Sequence, residues 1–359
     1  MSKAQFISFP SLIEAHSAPL QGVAHNMEDG LQIYENNEGY LVGNLALNQG
    51  VAPYRNINSS PQESDYHLLA KAAILVGSEG RTGDYTLTTG FPFATYELFK
   101  QQAIDFYTRK DITIEFNPGA YAHGDKRKSQ FSIKRIDVFP EIQGSVNAIR
   151  KGPIADNNNF FIVSLGYGTF ECALSTETGL IGRTCLSSNG LRTAVNNLYR
   201  ELARIQNVGL KNEHQMNQSF QNARISIGRQ RKDLTDLRKI HLLNYYNEVL
   251  SPTLKKAFTD SDFERSSALY IVGGGAMYPE LIECFQNEFS EFIDVIVPPD
   301  PANMASYGYY LNSCVWASDP KTALGIDIGN AYTVVVKTGS ETHSMADSNR
   351  SHIFATNEN

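Results

Sequence analysis

Two segments far apart in the chain share one layout. Phe161–Ala173 reads FIVSLGYGTFECA and Leu324–Val336 reads LGIDIGNAYTVVV. In each, an apolar strand runs into a glycine-containing turn, a threonine follows, and a second strand leaves. Glycine lets the backbone approach a ligand closely and take up positive φ, and successive N–H groups around such a turn form a concave nest for phosphate oxygens. Gly329, Asn330, Tyr332 and Thr333 in one segment, and Gly166, Tyr167, Gly168 and Thr169 in the other, are therefore candidate phosphate contacts, with the threonine hydroxyls as extra donors. Asp327 ends the first strand of its segment and directs a carboxylate toward the same space, where it could hold Mg²⁺ directly or through water. Either segment alone also suits an ordinary tight hairpin; their repetition favours the ligand. A third segment, Tyr270-Ile271-Val272-Gly273-Gly274-Gly275-Ala276-Met277, is a buried-type strand emptying into three glycines. Such a turn admits close approach by a flat base or sugar. The spacing is not the dinucleotide-binding GxGxxG, and a tight packing turn explains a bare triplet equally well.

The elements that must carry these turns follow from periodicity and breakers. Strands are expected at Phe6–Phe9, Leu31–Tyr34, Tyr40–Val42, Tyr85–Thr89, Ile112–Phe116 and Phe131–Val138, with helices over Asp65–Leu75, Thr95–Phe106 and Glu141–Ile149. The turn Asp156–Asn159 divides the chain. Beyond it come strands at Phe160–Leu165, Thr169–Ser175 and Leu180–Leu186 and a helix over Leu191–Ile205. A long helical region over Leu234–Phe258 is interrupted at Ser251-Pro252. Strands at Ala268–Val272 and Ile293–Val297 alternate with helices over Pro279–Phe289 and Pro301–Trp316. A strand pair, Ala323–Ile328 and Tyr332–Lys337, closes the series, and the tail beyond Gly339 is polar. Asp125-Lys126-Arg127-Lys128 reads as a solvated hairpin tip or a partner-binding knob, and Arg229-Gln230-Arg231-Lys232 as an exposed helix entry or a contact to nucleotide or a neighbouring subunit. Strands mixed with helices of this length give an α/β class.

The chain has 359 residues, 42% hydrophobic and 19% charged, with a net charge of −7. That length suits two domains or one domain in two lobes, and the apolar content excludes wholesale disorder. The negative balance argues against direct nucleic-acid binding through positive field. No apolar run reaches membrane-spanning length, and the start lacks a secretory layout. Cys172, Cys185, Cys284 and Cys314 are scattered, as reduced core thiols of a cytoplasmic protein would be. GK[ST], HExxH, GxSxG and EF-hand patterns are absent, and no histidines pair at i, i+4.

On these residues the chain resembles the actin-like ATPase superfamily of actin, heat-shock chaperones and sugar kinases, most nearly its bacterial and archaeal ParM-like members. Gly325 to Asn330 is similar to the family's first phosphate segment, Ser164 to Thr169 to its second, and Val272 to Ala276 to its adenosine segment. Ala302 to Gly308 resembles the helix that follows. Phe9-Pro10-Ser11 resembles the Phe-Pro-Ser beyond the first hairpin, and Thr89-Gly90-Phe91-Pro92 the family's Thr-Gly-Leu-Pro. The resemblance implies a two-lobed fold of duplicated RNase H-like domains with a nucleotide cleft between them. Residues 1–150 with 301–359 would form lobe I and 151–300 lobe II.

The order differs from the family's, whose first phosphate hairpin opens the chain. Here it stands near the C-terminus, as in a circular permutation spliced at Asp319-Pro320-Lys321, so residues 323–337 should pair with the sheet of the N-terminal half. The family's second phosphate segment begins with Asp; Ser164 stands there, leaving Asp327 as the main carboxylate of a metal site shared with Ser164 and implying slow turnover with weak Mg²⁺ dependence. Glu141, in Pro140-Glu141, matches the ParM-type residue that positions the attacking water, with Gln143 as the alternative. The implied activity is ATP (or GTP) hydrolysis coupled to filament growth, with the chain itself as partner and a DNA-binding adaptor linking filaments to plasmid segregation. A small-molecule kinase and a non-catalytic nucleotide-binding scaffold are the alternatives on the same fold.

Overall fold

The computed structural model describes residues 3–18, 20, 24, 26–109, 111–118, 126–205, 208 and 212–339. A nine-stranded sheet runs in the order Ala4–Pro10, Tyr332–Thr338, Ala323–Ile328, Gly83–Phe91, Arg127–Pro140, Ile112–Asn117, Gln32–Glu35, Glu38–Val42, Ile13–Ala15. Its third strand, Ala323–Ile328, is apolar almost throughout because both faces are covered. On one side the helix Ser64–Ser78 packs so closely that a Cβ on Gly77 would lie 2.9 Å from Leu324 Cδ2. On the other, a Cβ on Gly325 would fall 2.3 Å from the Tyr310 amide nitrogen, so the helix Met304–Trp316 rests on bare strand backbone. Residues 323–338 thus lie within the sheet of the N-terminal half, as expected. Tyr332–Thr338 pairs antiparallel with Ala4–Pro10, and Ala323–Ile328 parallel with Gly83–Phe91.

The second sheet repeats the plan. Phe160–Leu165 forms a hairpin with Thr169–Thr176 and pairs parallel, on its other edge, with Ala268–Val272, which in turn pairs parallel with Asp294–Ile296. Leu186–Asn189 adds to the outer side of Thr169–Thr176.

Two helices carry the chain between the sheets. Glu141–Lys151 leaves the strand ending at Pro140, and Met304–Trp316 returns toward Ala323. Where they meet, a Cβ on Gly308 would lie 1.7 Å from the Gly144 carbonyl oxygen, and a Cβ on Gly144 would lie 2.4 Å from Tyr309 Cε1 and 2.8 Å from the Ala305 oxygen. The helix backbones touch, which explains two helix-interior glycines that each cost about 1 kcal/mol in propensity relative to alanine.

Several expected elements differ. The strand expected at Leu180–Leu186 is split into Gly179–Leu180 and Leu186–Asn189 by a tight turn over Gly182–Thr184. The Thr184 hydroxyl fixes that turn by donating to the Ile181 oxygen at 2.7 Å and accepting from the Leu174 amide at 2.8 Å. Ser251-Pro252 does not interrupt the long helical region. A π-helical turn, Tyr246–Leu250, precedes Ser251–Ala257 and takes up the misfit of a proline lacking its N–H. The basic run at 229–232 is not a helix entry: Gln230–Asp233 pairs with Arg224–Ile227 across Gly228 and Arg229, both at positive φ (56° and 66°), as a two-residue hairpin turn requires. Arg127 and Lys128 belong to strand Arg127–Pro140, paired with Phe116 and Glu115, so only part of that charged run is a hairpin tip. Asp125 and the tail beyond Gly339 lie outside the described residues.

Candidate functional site

The two turns meet. A Cβ on Gly168 would lie 2.0 Å from Asn330 Nδ2, so glycine at 168 lets the turn of the second sheet approach the turn of the first. Asn330 is fixed in turn by a paired contact with Asn58: its Oδ1 accepts from the Asn58 amide at 2.7 Å, and its Nδ2 donates to Asn58 Oδ1 at 2.9 Å. Beside this contact lies a cavity of about 70 Å³. Of the residues expected to bind, Gly166, Tyr167, Gly168, Thr169, Asp327, Gly329, Asn330 and Glu141 line it together. Gly90, Phe91 and Pro92, from the Thr-Gly-Phe-Pro segment, form another wall.

The turns are built alike. Gly166 N donates to the Thr169 oxygen at 2.9 Å, and Gly329 N to the Tyr332 oxygen at 3.0 Å. Superposing the glycines places Asp327 on Ser164 and Tyr332 on Thr169, so the two threonines are not equivalent. Thr333 sits one residue further into its strand, fully buried, sharing a 2.9 Å hydrogen bond with Ser11 Oγ; its hydroxyl is not available to a ligand. Thr333→Val should therefore cost about 1–2 kcal/mol of stability and leave ligand affinity unchanged, which thermal unfolding and titration calorimetry on one preparation would check. In the second turn the carbonyl oxygens of Gly168, Gly166 and Tyr167 accept from Gly190 N, Leu191 N and Arg192 N at 3.1, 3.1 and 2.9 Å. Its acceptors are thus satisfied at the entry of the helix Arg192–Ile205.

Other expected residues stand back from the cavity. Tyr332 meets the His214 ring edge-on at 5.9 Å. His214 is buried, which lowers its pKa to about 4 and keeps the ring neutral. The Gln143 amide donates to Asn147 Oδ1 at 3.2 Å one turn along its own helix. Ser164 is buried within the second sheet. In the triplet, Gly273 is at φ +84° and its Cβ would lie 2.8 Å from the Leu165 oxygen, while a Cβ on Gly275 would lie 2.5 Å from Leu165 Cβ. These two glycines serve packing, and Ala276 is buried. Gly274 alone faces open space.

Sequence reasoning missed two charged residues. Glu171 lies directly across the hairpin from Ser164. Its Oε1 accepts from the Phe93 amide at the start of helix Phe93–Tyr107 and from Ser187 Oγ at 2.9 Å, while Oε2 is buried without a partner. Burial nevertheless raises its pKa to about 7. Arg55 lines the cavity, held through Nη1 by Asp65 and Ser59. One acid inside the otherwise uncharged strand TFECALST was a readable signal for Glu171. Arg55 lies in a loop without periodicity and gave none.

Burial also raises Asp327 to about 6 and, with the negative fields of Asp327 and Glu171, holds Glu141 well above the usual carboxylate range. Of the three acids, Glu141 therefore holds its proton most strongly. No group of three His, Cys, Asp or Glu side chains poised to hold a metal is present among the described residues. At the cavity, Asp327 and Glu141 supply hard oxygen donors of the kind that suits a hydrated Mg²⁺. The linkage is testable. With a folded pKa of about 6 against an ordinary 3.8, protonation of Asp327 favours the folded chain, fully so below pH 4, and that contribution disappears as pH rises through 6. Asp327→Asn should thus match wild type near pH 4 and exceed it in Tm by pH 8 in metal-free buffer. Equal Tm values across the range would contradict the burial of an isolated carboxylate.

Comparisons with known proteins agree with this fold. Residues 1–144 match the family model for the N-terminal domain of actin-like proteins. No curated protein matches the chain by sequence. Among solved structures, the archaeal actin homologue Ta0583 superposes with a TM-score of 0.66 at 16% identity, over 84% of this chain and 90% of that one. Ta0583 is also known in complex with ADP. A ParM from Clostridium botulinum, seen in a 15-stranded filament, gives 0.65 at 17% identity over 86% and 93%. Alp7A, another actin-like protein, gives 0.64 at 13% over 86% and 90%. The fold is the actin-like α/β fold.

Proposed function

We propose that this chain is a nucleotide-dependent filament protein, binding ATP (or GTP) with Mg²⁺ between its two turns, hydrolysing it slowly and assembling head to tail. The observation that carries the reading is the meeting of Gly168 and Asn330 over one cavity that also contains Asp327 and Glu141. The turn N–H groups would hold phosphate oxygens, and Asp327 would hold the hydrated cation; when bound, that cation offsets charge on the phosphates. Glu141 accepts a proton from the attacking water. Lobe I would comprise residues 1–150 and 301–359 and lobe II residues 151–300, a circular permutation of the family order. The solved relatives that bind ADP or form filaments support nucleotide binding and self-association by analogy of fold.

A role in plasmid segregation through a DNA-binding adaptor, in the cytoplasm, fits the net charge of −7; among the described residues no helix is long and apolar enough to cross a membrane. Ser164 at the position matching Asp327 favours a second reading, a scaffold that binds nucleotide without turnover. Pelleting with ATP, GTP, ADP and no nucleotide, with phosphate release followed in parallel, tests both. Triphosphate-dependent pelleting with release supports the filament ATPase, and pelleting without release supports the scaffold. No nucleotide effect on either overturns the proposal.

A further inference from the structure

The cavity between the turns holds two carboxylates, Asp327 and Glu141, yet it must accept a polyanion. Among the described residues lining it, Arg55 is the one Lys or Arg. Its side chain is 5% exposed. Nη1 lies 2.5 Å from Asp65 Oδ2 and also contacts Ser59 Oγ. The guanidinium is therefore anchored by its Nη1 corner, while on the opposite Nε–Nη2 edge, two parallel N–H donors, Nε is buried without a partner and no hydrogen bond to the described residues engages Nη2. An unsatisfied buried donor is costly, and this edge matches two oxygens of one phosphoryl group.

The loop is held in place independently of any ligand. Asp65, fully buried, also accepts from the Asn56 amide at 3.0 Å. Tyr54 exchanges backbone hydrogen bonds of 3.0 Å with Ile13, and Asn58 is paired with Asn330 of the first turn. Asn58 adopts φ 55°, which brings the loop back onto that turn. Arg55 is presented rigidly, as preorganised recognition requires.

We propose that Arg55 is the phosphate-anchoring cation of this site and grips the terminal phosphoryl group of a nucleoside triphosphate through its Nε–Nη2 edge. The inference rests on the nucleotide reading above. Glu141, placed there to receive the proton of the attacking water, shares the same 70 Å³ cavity with Arg55, so both groups address the phosphoryl group at the reacting end. Arg55 thereby makes the site distinguish triphosphate from diphosphate.

The test is calorimetric titration of full-length protein with Mg–ATP, Mg–GTP and Mg–ADP. Because Arg55→Met alone leaves Asp65 buried and unpaired, it is paired with Asp65→Asn, and Arg55→Lys is made separately to keep the charge without the fork; melting curves confirm that each variant is folded. For the triphosphate that wild type prefers, affinity should fall about 10–100-fold in the double variant and about 10-fold in Arg55→Lys, while ADP affinity changes less than about threefold. Folded variants whose triphosphate affinity is unchanged, or falls equally with that for ADP, overturn the assignment of Arg55 and leave the nucleotide reading intact. Wild type that binds none of the three overturns the nucleotide reading and this inference with it.

Discussion

Glu141→Gln should reduce phosphate release by about 10²–10⁴-fold while nucleotide affinity stays within about threefold of wild type. Glu141 opens its helix directly after Pro140, and its carboxyl faces the cavity that both turns line. Glutamine keeps the shape and can still orient a water, but it cannot take a proton, so binding and chemistry separate. In the cation-free chain the Glu141 carboxyl is held protonated by burial and by Asp327 and Glu171. A bound divalent cation would offset that negative field and let the carboxylate act as a base. Release measured under single-turnover conditions at saturating triphosphate gives the answer: a rate within threefold of wild type would remove Glu141 from the chemistry.

Gly308→Val should be the most damaging single change at a distance from the cavity. The added Cβ would start 1.7 Å from the Gly144 carbonyl oxygen, which is helix backbone and has no rotamer to move. The helices Glu141–Lys151 and Met304–Trp316 must separate, exposing surface around Ile142, Val146 and Met304, all buried in one cluster. Overpacking of this severity costs about 4 kcal/mol or more. Denaturant unfolding should show a midpoint shifted by that amount, and a change below about 1 kcal/mol would contradict the packing described. Gly308→Ala should show the same sign at smaller size, since it carries the same Cβ without the branches.

Legibility in the sequence followed locality. The turns could be read because the glycines that shape them and the residues that face the cavity lie within a few positions of one another, and the two copies reinforced each other. Thr333 was misjudged because the hairpins were matched by their threonines. Matched by their glycines, Gly166 and Gly329, they pair Thr333 with the buried Phe170. The pairing of residues 323–337 with the N-terminal sheet was legible only through the family resemblance, in which that hairpin precedes the Phe-Pro-Ser segment. The glycine triplet was half legible: a close approach was required, but for Gly273 and Gly275 the neighbour is Leu165 rather than a ligand. Arg55 and Glu171 were not legible as site residues, because tertiary structure alone brings them there. Arg55 comes from an irregular loop pinned by Asp65, and Glu171 from a strand position that faces Ser164 only once the hairpin register is set. Gly144 and Gly308 did carry a signal, since glycine inside a helix is unfavourable unless another backbone lies against it.

That crossing also governs how the two sheets can move. The two helices that carry the chain between them lie backbone to backbone around Gly144 and Gly308. Glu141 stands three residues from Gly144, about 4.5 Å along the helix axis. A rotation of one half on the other about that contact would displace Glu141 less than the outer edges of the sheets. In the filament reading proposed above, Glu141 would then stay in register with the cavity while the sheet edges moved.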